Sequence, residues 1–437
     1  MKAICTTNIK ALIAGILLIG HSLSAQTILR VNVNTPCTSG CDGSTWALAY
    51  PNVSNALSAF SSGEIWVAAG TYKPGPDRLN SFDLKNNAAL YGGFNGTETA
   101  RTERNATTNA TILSGDINGN DVGVSNNSDN NYHVLTAYYK TGVVLDGFTV
   151  KGGNANISGT RDGGGLYMVE GDILVENCTF EYNVATTYGG AVCATIGAGS
   201  TTSATLNFTS RNCTFRNNQG YRGGAVGFSI FIGNLQGTVE NCLFEQNSGD
   251  YGGAIIASGG LGGATSIQNL IKGSTFKNNT APYGGAFNWI NSSGSTLQAT
   301  LHTSKFMNNS GEYGAVASLD GQSAFTNCLF SKNIGGFGGT INGAANGNFT
   351  NCTFSGNTYT CLKGAAASTN VQNCIIWNQT TIADNTDAVI NYSNIQGGWA
   401  TGTGNISVDP LFIDATNDNY NLSCTSPCRN VGPNCAM

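Results

Sequence analysis

The chain has 437 residues and a formal net charge of −5, and only 10% of its residues are charged. Because it has no basic run, it lacks the electrostatic surface that binding to nucleic acid or to an anionic membrane requires. Hydrophobic residues make up 40% and recur at periodic positions, which excludes a disordered chain. The many Asn, Thr, Ser and Gly residues suit uncharged partners such as glycans, although β-turns use the same residues.

Residues 1–25 have the pattern of a secretory signal. Lys2 and Lys10 precede an apolar run over residues 11–20, and residues 22–25 offer a small-residue cleavage site. The run is too short to span a bilayer and no later stretch is long enough, so no transmembrane span is expected. We therefore predict that the mature protein is secreted or held at the outer cell surface, where disulfides can form.

Residues 26–64 are predicted to form an N-terminal cap. A strand is expected over residues 28–33, and Cys37 and Cys41 are close enough in sequence to pair. Apolar residues at helical spacing predict a short amphipathic helix over residues 51–60. A β-solenoid has open strand edges at its ends, and this helix would cover the first one.

Residues 65–160 are predicted to form irregular coils. Short apolar runs separated by Gly-, Asn- and Asp-rich turns indicate strands without a fixed spacing. These strands are expected at residues 65–68, 89–91, 111–113, 133–136 and 143–145.

One turn in this region carries the best candidate for a metal site. Its oxygen-bearing side chains surround Gly119, as at the start of a calcium loop. They belong to Asp116, Asn118, Asn120 and Asp121. The bidentate glutamate that should follow is missing, and an Asn/Asp/Gly turn explains the stretch equally well. Calcium is therefore an open alternative at this turn, and no other cofactor is predicted.

Residues 161–400 repeat two phrases, Asn-Cys-x-Phe-x-x-Asn and Gly-Gly-Ala followed by an apolar residue. The Phe position is occupied by Phe180, Phe215, Phe244, Phe276, Phe306, Phe330 and Phe354, with Ile376 in the last copy. Three residues after each Phe stand Asn183, Asn218, Asn247, Asn279, Asn309, Asn333 and Asn357. The Ala position is aligned at Ala191, Ala225, Ala254, Ala286 and Ala315, with Gly165 before them and Thr340 after them. Repetition of this kind predicts a solenoid.

The columns of this repeat predict which side chains face inward. The residue after the Ala position is always apolar, as in Leu166, Val192 and Val316, so it is expected to point into the core. The next residue is of mixed type, as in Cys193 and Asn288, and is expected to face outward. The Phe and the Cys or Ser two residues before it lie on the same side of their strand, so both side chains are expected to point inward.

The copies lie 22 to 35 residues apart, too far for hairpins, so their strands must stack in parallel about 4.8 Å apart. Like side chains then stack on like, and the asparagines satisfy the backbone groups of turns. The Gly-Gly pair is expected to form corners that need positive φ or close approach. We therefore predict an all-β fold: a single right-handed parallel β-helix with a short N-terminal capping helix and a C-terminal cap or tail over residues 401–437.

The spacing also locates the insertions. From the Phe position to the Ala position the distance stays at 9 to 11 residues, whereas from the Ala position to the next Phe it ranges from 14 to 24. Insertions such as residues 197–203, 258–265 and 291–296 therefore lie on one side of the solenoid, which is often the binding side.

Most cysteines belong to the repeat. One column contains Cys178, Cys213, Cys242, Cys328, Cys352 and Cys374, with Ser274 and Ser304 in the gap. Metal sites need Cys or His in close pairs, so one cysteine per coil predicts small buried residues instead. Cys37 with Cys41, and two of Cys424, Cys428 and Cys435, are the predicted disulfides.

The paired phrases Phe-x-x-Asn and Gly-Gly-Ala-[Ile/Leu/Val] resemble the repeats of the polymorphic outer-membrane proteins, surface β-helix adhesins, over about residues 160–345. Three further stretches look like the opening of secreted bacterial β-helix repeat proteins, at residues 43–47, 65–72 and 90–94. Three others resemble the choice-of-anchor terminal region of such proteins, at residues 373–377, 392–399 and 409–412. The resemblance implies a bacterial surface location and an adhesive role.

Polysaccharide lyases and hydrolases are the rival class, since they also use β-helices. They need carboxylates with Arg, Lys or His clustered on an outer strand face. The outward column after Gly-Gly-Ala carries no charge, and His133 and His302 are far apart in sequence. Asp162, Asp250 and Asp320 are interpreted as turn residues at coil corners.

We therefore predict a secreted or cell-surface β-helix, monomeric and without catalytic activity. Its expected role is adhesion or binding, with a glycan or a surface protein as partner. The alternative is a protein that binds or degrades polysaccharide, as a lyase or a glycoside hydrolase.

Overall fold

The computed structural model describes residues 27–429, except 158, 160, 261–264, 292–294, 345–346, 366–367 and 385–386. The predicted signal, residues 1–25, lies outside the described residues. The described chain forms one right-handed parallel β-helix with a single α-helix, which confirms the predicted fold class. Among the described residues, no helix is long and apolar enough to cross a membrane.

The α-helix spans Val53–Ala59 and begins after Asn52, whose side-chain oxygen accepts a hydrogen bond from the Ser54 amide at 3.0 Å. Its buried residues include Ala56 and Leu57, and they pack into the main core at the N-terminal end of the solenoid. The predicted capping helix is thus confirmed. Short 3₁₀ helices span Arg101–Glu103, Asn127–Asp129 and Ala415–Asn417.

Each coil contributes strands to three faces, which we name from their sequence. The Phe face carries the Phe-x-x-Asn phrase, the Gly-Gly face follows the Gly-Gly-Ala phrase, and the amide face lies between the Gly-Gly face and the next Phe face. Strands on all three faces pair in parallel with the equivalent strand of the next coil. Each coil therefore lies about 4.8 Å from its neighbour.

The Phe face is a 12-stranded sheet within the described residues, formed by Gly70–Tyr72, Thr111–Ser114, Phe148–Lys151, Thr179–Glu181, Thr214–Arg216, Leu243–Glu245, Thr275–Lys277, Lys305–Met307, Leu329–Ser331, Thr353–Ser355, Ile375–Trp377 and Asn394–Ile395. The Gly-Gly face contains Phe82–Asp83, Val192–Ile196, Val226–Ile230, Ile255–Gly259, Phe287–Ile290, Ala317–Leu319, Ile341–Asn342, Thr360–Lys363 and Thr381–Ala383. The amide face contains Ile28–Val31, Glu64–Ala68, Ala89–Phe94, Thr205–Arg211, Gly233–Glu240, Thr265–Lys272, Thr296–His302, Gln322–Thr326, Gly347–Thr350, Asn370–Gln372 and Val389–Asn391.

Two long strands, Leu135–Asp146 and Leu166–Glu176, run through both the Gly-Gly face and the amide face and join them into one 22-stranded sheet. Shorter strands at the corners are Asn154–Ala155, Val184–Tyr188, Gln219–Arg222, Ser310–Gly311 and Ile334–Gly335. The C-terminal segment contains an antiparallel pair, Phe412–Asp414 with Asn419–Leu422.

The Phe column fills the core as predicted. Its seven phenylalanines are fully buried, and the rings of neighbouring coils lie 4.3 to 5.3 Å apart, centre to centre, in stacked geometry. The Cys or Ser column beside it is at most 2% exposed. Burial of each Phe contributes about 1.5–3 kcal/mol, so this column is a main source of stability.

The asparagine column forms a continuous buried ladder, which confirms its predicted role at turns. From Asn218 to Asn357 the Oδ1 accepts two hydrogen bonds from the preceding coil, as in Asn247 N and Nδ2 donating to Asn279, both at 3.0 Å. The Nδ2 of Asn279 in turn donates to the Phe244 carbonyl at 2.9 Å. One side chain per coil therefore satisfies backbone groups that have no strand partner.

The two glycines of each corner have different roles. The first has a positive φ, 62° at Gly189 and 68° at Gly252, which glycine adopts without the steric cost of a Cβ. The second has no room for a side chain, since a Cβ on Gly253 would lie 2.2 Å from the Gly285 carbonyl oxygen. The predicted Gly-Gly corner is thus confirmed.

The sixth copy of the Gly-Gly-Ala phrase is aligned one residue wrong in the sequence prediction. Ala317, not Val316, pairs with Phe287, so Val316 takes the Ala position and Ala315 takes that of the second glycine. The pattern was ambiguous because this copy has alanine where the others have glycine.

The column after the inward residue faces away from the main core, as predicted, but part of it is covered rather than exposed. Cys193 and Ile256 form a small cluster with Tyr188, separate from the main core, and both are fully buried. Tyr188 belongs to the corner before the Gly-Gly pair and covers the outside of this strand. Sequence parity gives the side of the strand that a residue occupies, but it does not show what covers that side.

One strand prediction also changed. The strands expected at residues 133–136 and 143–145 are one strand, Leu135–Asp146, because positive φ at Tyr139 and Gly142 bends the chain without ending it.

Cys37 and Cys41 form the predicted disulfide. Cys424 and Cys428 are not joined to each other, and Cys435 lies outside the described residues.

Candidate functional site

A column of aromatic side chains runs along the outside of the solenoid, immediately before the Gly-Gly corners. Tyr251, Tyr283 and Tyr313 are stacked at 4.9 and 4.8 Å between ring centres. Arg222 occupies the same position in an earlier coil, in register with Tyr188 on one side and Tyr251 on the other. A cation thus interrupts a column of tyrosines.

Arg222 lies among three tyrosine rings. Its guanidinium carbon is 5.2 Å from the ring centre of Tyr188, 5.7 Å from that of Tyr221 and 5.8 Å from that of Tyr251, within cation–π range. Its Nη1 donates a hydrogen bond to the Tyr188 hydroxyl at 2.6 Å. Within the described part of the chain, no carboxylate oxygen lies within 4.0 Å of its nitrogens, and its buried Nε has no hydrogen-bond partner.

A pocket of about 270 Å³ opens beside this arginine on the Gly-Gly face. Ser229 and Ser258 contribute hydroxyl groups to its wall, and Phe231 and Ile290 contribute apolar surface. The pocket therefore combines one unpaired cation, polar groups and an apolar wall within a small volume.

A second concave surface, the amide groove, runs along the outside of the amide face. Four exposed glutamines stack in register across successive coils: Gln236, Gln268, Gln298 and Gln322. Two adjoining hollows of about 300 Å³ each lie against this row and share Gln298 and Thr300. Three coil intervals separate the first glutamine from the last, so the row is roughly 14 Å long.

The predicted calcium turn is held together by its own hydrogen bonds. The Asp116 carboxylate accepts from the amides of Gly119 at 2.6 Å, Asn120 at 3.1 Å and Asp121 at 3.2 Å. Asn118 makes a different contact: its backbone N–H donates to the Asp129 carboxylate at 3.1 Å. These contacts are those of an Asp-centred turn, the alternative that the sequence left open.

Asp121 is the member of this turn whose carboxylate is least satisfied. Its Oδ2 accepts from Asn130 at 2.7 Å, whereas its Oδ1 is buried without a partner. Burial raises the pKa of this carboxyl, and the nearby negative charges of Asp116 and Asp129 raise it further. Among the described residues, no group of three or more His, Cys, Asp or Glu side chains is arranged to hold a metal ion. Calcium binding, in which asparagine oxygens would have to take part, stays a prediction.

The other singled-out residues have structural partners. His133 is buried, with Nδ1 2.9 Å from the Gly163 carbonyl oxygen, and burial lowers its pKa. Asp162 accepts a hydrogen bond from the Tyr188 amide at 2.9 Å, which supports its interpretation as a turn residue, and burial raises its pKa. His302 ends a strand of the amide face.

Sequence reasoning missed both concave surfaces, although each left a signal. The four glutamines stand eight residues before a Phe of the repeat, so they form a column that alignment could have found. Arg222 stands where Tyr188 and Tyr251 stand in the flanking coils. This charge lies before the Gly-Gly pair, outside the column after Gly-Gly-Ala that was expected to face outward.

No family model and no curated protein matches the chain. Several solved structures are similar to it, including the following three. A pectate lyase, Pel9A, is 12% identical with a TM-score of 0.43, over 94% of this chain and 92% of the enzyme. The A-module of the Azotobacter vinelandii mannuronan C-5 epimerase AlgE4 is 13% identical with a TM-score of 0.33, over 86% of this chain and 100% of the module. A tailspike protein of Escherichia coli bacteriophage HK620, in complex with a hexasaccharide, is 13% identical with a TM-score of 0.31, over 80% of this chain and 72% of the tailspike.

These similarities are too weak to support a functional argument. The assignment of the β-helix rests on the parallel register of the strands on its three faces. The resemblance to polymorphic outer-membrane proteins and to the choice-of-anchor region stays an interpretation of short motifs.

Proposed function

We propose that the protein binds an uncharged polysaccharide along the amide groove and does not cleave it. The observation that carries this proposal is the exposed row of four glutamines in register. Each amide offers two donor hydrogens and an acceptor oxygen, which together match the hydroxyl groups of a sugar. A row of such groups along a hollow suits an extended, hydroxyl-rich chain better than a compact ligand.

The neighbouring side chains support the same ligand class. Thr238 and Thr300 add hydroxyl groups beside the glutamines, and Leu270, 37% exposed, adds an apolar contact for a sugar ring. The described residues that line the two hollows include no carboxylate, whereas acid–base cleavage of a glycosidic bond uses a pair of them. Binding without cleavage is therefore the better supported activity.

We propose an extracellular setting for this binding. It rests on the signal-like pattern of residues 1–25 and on a low charge content of 10%, which suits an exported solenoid that contacts neutral glycans. Adhesion to a glycan-bearing surface by a monomer is the biological role that we associate with the groove. A polysaccharide lyase or hydrolase is the rival function.

A glycan array combined with product assays tests the proposal. The full mature chain should bind neutral polysaccharides, while assays for reducing sugars and for unsaturated products should detect no release. A Gln268→Ala/Gln298→Ala variant should lose at least about tenfold in affinity, because two adjacent coils lose their amides. Gln219→Ala is the matched control, since Gln219 is exposed on a corner strand outside the groove.

Two results would overturn the proposal. Catalytic release of sugars would replace binding by catalysis. Equal affinity of the double variant and the wild type would remove the amide groove as the site.

A further inference from the structure

We infer that the pocket beside Arg222 is a second glycan site that binds the carboxylate of an acidic sugar ring. The pocket lies on the Gly-Gly face, whereas the amide groove lies on the neighbouring face. The inference deepens the proposed glycan binding, since it assigns an acidic sugar to a separate site. Three observations carry it: the unpaired cation, the composition of the pocket wall, and the interruption of the tyrosine column.

The guanidinium of Arg222 differs from those of the nearest arginines because no carboxylate neutralises it, and it is the only described arginine with a buried nitrogen that lacks a hydrogen-bond partner. Arg211 and Arg216 in the adjoining strands of the same coil each pair with a glutamate, at 2.8 and 2.6 Å. Arg222 has only the Tyr188 hydroxyl at Nη1, and its buried Nε has no partner. That Nε is shielded from the pocket, so a ligand would contact the guanidinium through its outer nitrogens, and a carboxylate can accept from two guanidinium N–H groups at once.

The three tyrosine rings hold the guanidinium in place. Cation–π contacts with Tyr188, Tyr221 and Tyr251 fix the position of the charge without neutralising it. The side chain is therefore ordered before any ligand arrives, which reduces the entropy lost on binding. The planar guanidinium presents its N–H donors in a fixed geometry. A carboxylate matches this geometry with two oxygens, whereas a small spherical anion does not.

The rest of the pocket fits a sugar ring rather than a simple anion. Ser229 and Ser258 offer hydroxyl partners, and Phe231 and Ile290 offer apolar surface for the face of the ring. The volume of about 270 Å³ lies below the range of about 300–1,000 Å³ that is typical of drug-sized ligands, so one sugar ring is the appropriate size. Uronic acids and sialic acids share this chemistry, a carboxylate on a hydroxylated ring.

The tyrosine column argues against a purely structural role for the arginine. Tyr251, Tyr283 and Tyr313 continue the column by ring stacking alone, so a tyrosine at this position would complete it. The arginine instead introduces an unsatisfied charge where the repeat needs none. Such an interruption is what a binding residue set into a repeating surface would produce.

Calorimetric titration of the full mature chain at fixed ionic strength tests the inference. The probes are methyl β-D-glucuronide, N-acetylneuraminate and, as the uncharged match, methyl β-D-glucoside. We expect at least one of the two acids to bind at least tenfold more tightly than the glucoside, and the two acids distinguish uronic from sialic acid as the source. Arg222→Gln should reduce the affinity for that acid at least tenfold, and Arg222→Lys should restore only part of it.

Arg216→Gln is the charge-matched control, since it removes one positive charge from the Phe face. It should leave the affinity for acidic sugars unchanged. Phe231→Ala, at a position 37% exposed, is a second pocket variant that also weakens acid binding and serves if Arg222→Gln does not fold. Equal binding of acids and glucoside by the wild type, or an equal loss in Arg216→Gln, would overturn the inference. Binding of neutral polysaccharide to the same wild-type protein reports separately on the amide groove.

Discussion

The regular coils and the N-terminal coils both contain backbone groups at turns that have no strand partner, and they satisfy these groups with different side chains. In the regular coils, from Asn183 to Asn357, one buried asparagine per coil satisfies the backbone groups at a turn. In the N-terminal coils individual arginines do this together with scattered asparagines such as Asn131, whose Nδ2 donates to the Asp77 carbonyl at 2.7 Å. Arg104 donates to the Gly92 carbonyl at 3.0 Å and pairs with Asp146 at 2.6 Å, and Arg78 donates to the Asn130 carbonyl at 2.7 Å.

The difference shows how repeating and unique residues should be interpreted in this solenoid. A residue that repeats down a column has a structural role in every coil. Where the coils are irregular, a charged residue that is bonded to the surrounding backbone takes over this structural role. Arg222 fits neither description, because it interrupts a regular column and its buried Nε has no hydrogen-bond partner among the described residues. The same comparison makes the following predictions, in order of decreasing effect.

The asparagine ladder should be the most sensitive feature of the regular coils. Asn309→Ala removes the acceptor of the Asn279 amide and of its Nδ2, both at 3.0 Å, and the donor to the Phe276 carbonyl. Several buried groups are then unsatisfied, so we expect a loss of about 4 kcal/mol in the free energy of unfolding. Urea denaturation measures it.

Asn308→Gly is the control from the neighbouring position. Asn308 has a φ of 53°, which glycine adopts freely, so this variant should stay within about 1 kcal/mol of the wild type. Similar losses in the two variants would mean that the ladder is not the important contact.

The N-terminal coils should depend on a charged pair instead. Arg104→Met leaves the carboxylate of Asp146, whose side chain is 8% exposed, without its cation. We expect a loss of about 3 kcal/mol, measured by the same denaturation. Arg211→Met, which breaks exposed ion pairs, should lose less than about 1 kcal/mol. If Arg211→Met were the more destabilised of the two, the buried pair would not hold the N-terminal coils together.

The corner glycines should come third. Gly253→Ala would place a Cβ 2.2 Å from the Gly285 carbonyl oxygen, and the backbone must shift to relieve the overlap. We expect a loss of about 2 kcal/mol in thermal or urea denaturation. Gly199→Ala has no atom within 4 Å of its new Cβ and should be neutral. A neutral Gly253→Ala would contradict the assigned close approach.

The smallest effect is expected from calcium at the N-terminal turn. A cation beside Asp121 would relieve the unpaired Oδ1 and the repulsion from Asp116 and Asp129. Millimolar calcium should raise the thermal midpoint by about one or two degrees, reversibly on chelation, and Asp121→Asn should abolish the shift. If calcium did not change the thermal midpoint of the wild type, residues 116–121 would be a structural turn without a calcium site.

The sequence was most informative where it repeats. The Phe and Asn columns follow from spacing alone, because stacked coils bring like positions together and leave one orientation for each. A single alanine for glycine at Ala315 displaced one copy of the alignment, since the small residues of the corner are chemically similar.

The sites were harder to predict because they depend on contacts between columns. The cover over Cys193 comes from Tyr188 of the preceding corner, and the pocket of Arg222 combines residues of several coils. Periodicity within one column contains no information about such neighbours.

The most direct test of the central claim is a crystal structure of the chain with a bound neutral oligosaccharide. The claim is that columns facing inward build the solenoid and that its outer amide row binds the ligand. We predict that the oligosaccharide lies along the row from Gln236 to Gln322, with its hydroxyls within hydrogen-bond distance of the amides. A ligand on the Phe face or in the N-terminal coils, or an empty groove at saturating concentration, would contradict the account.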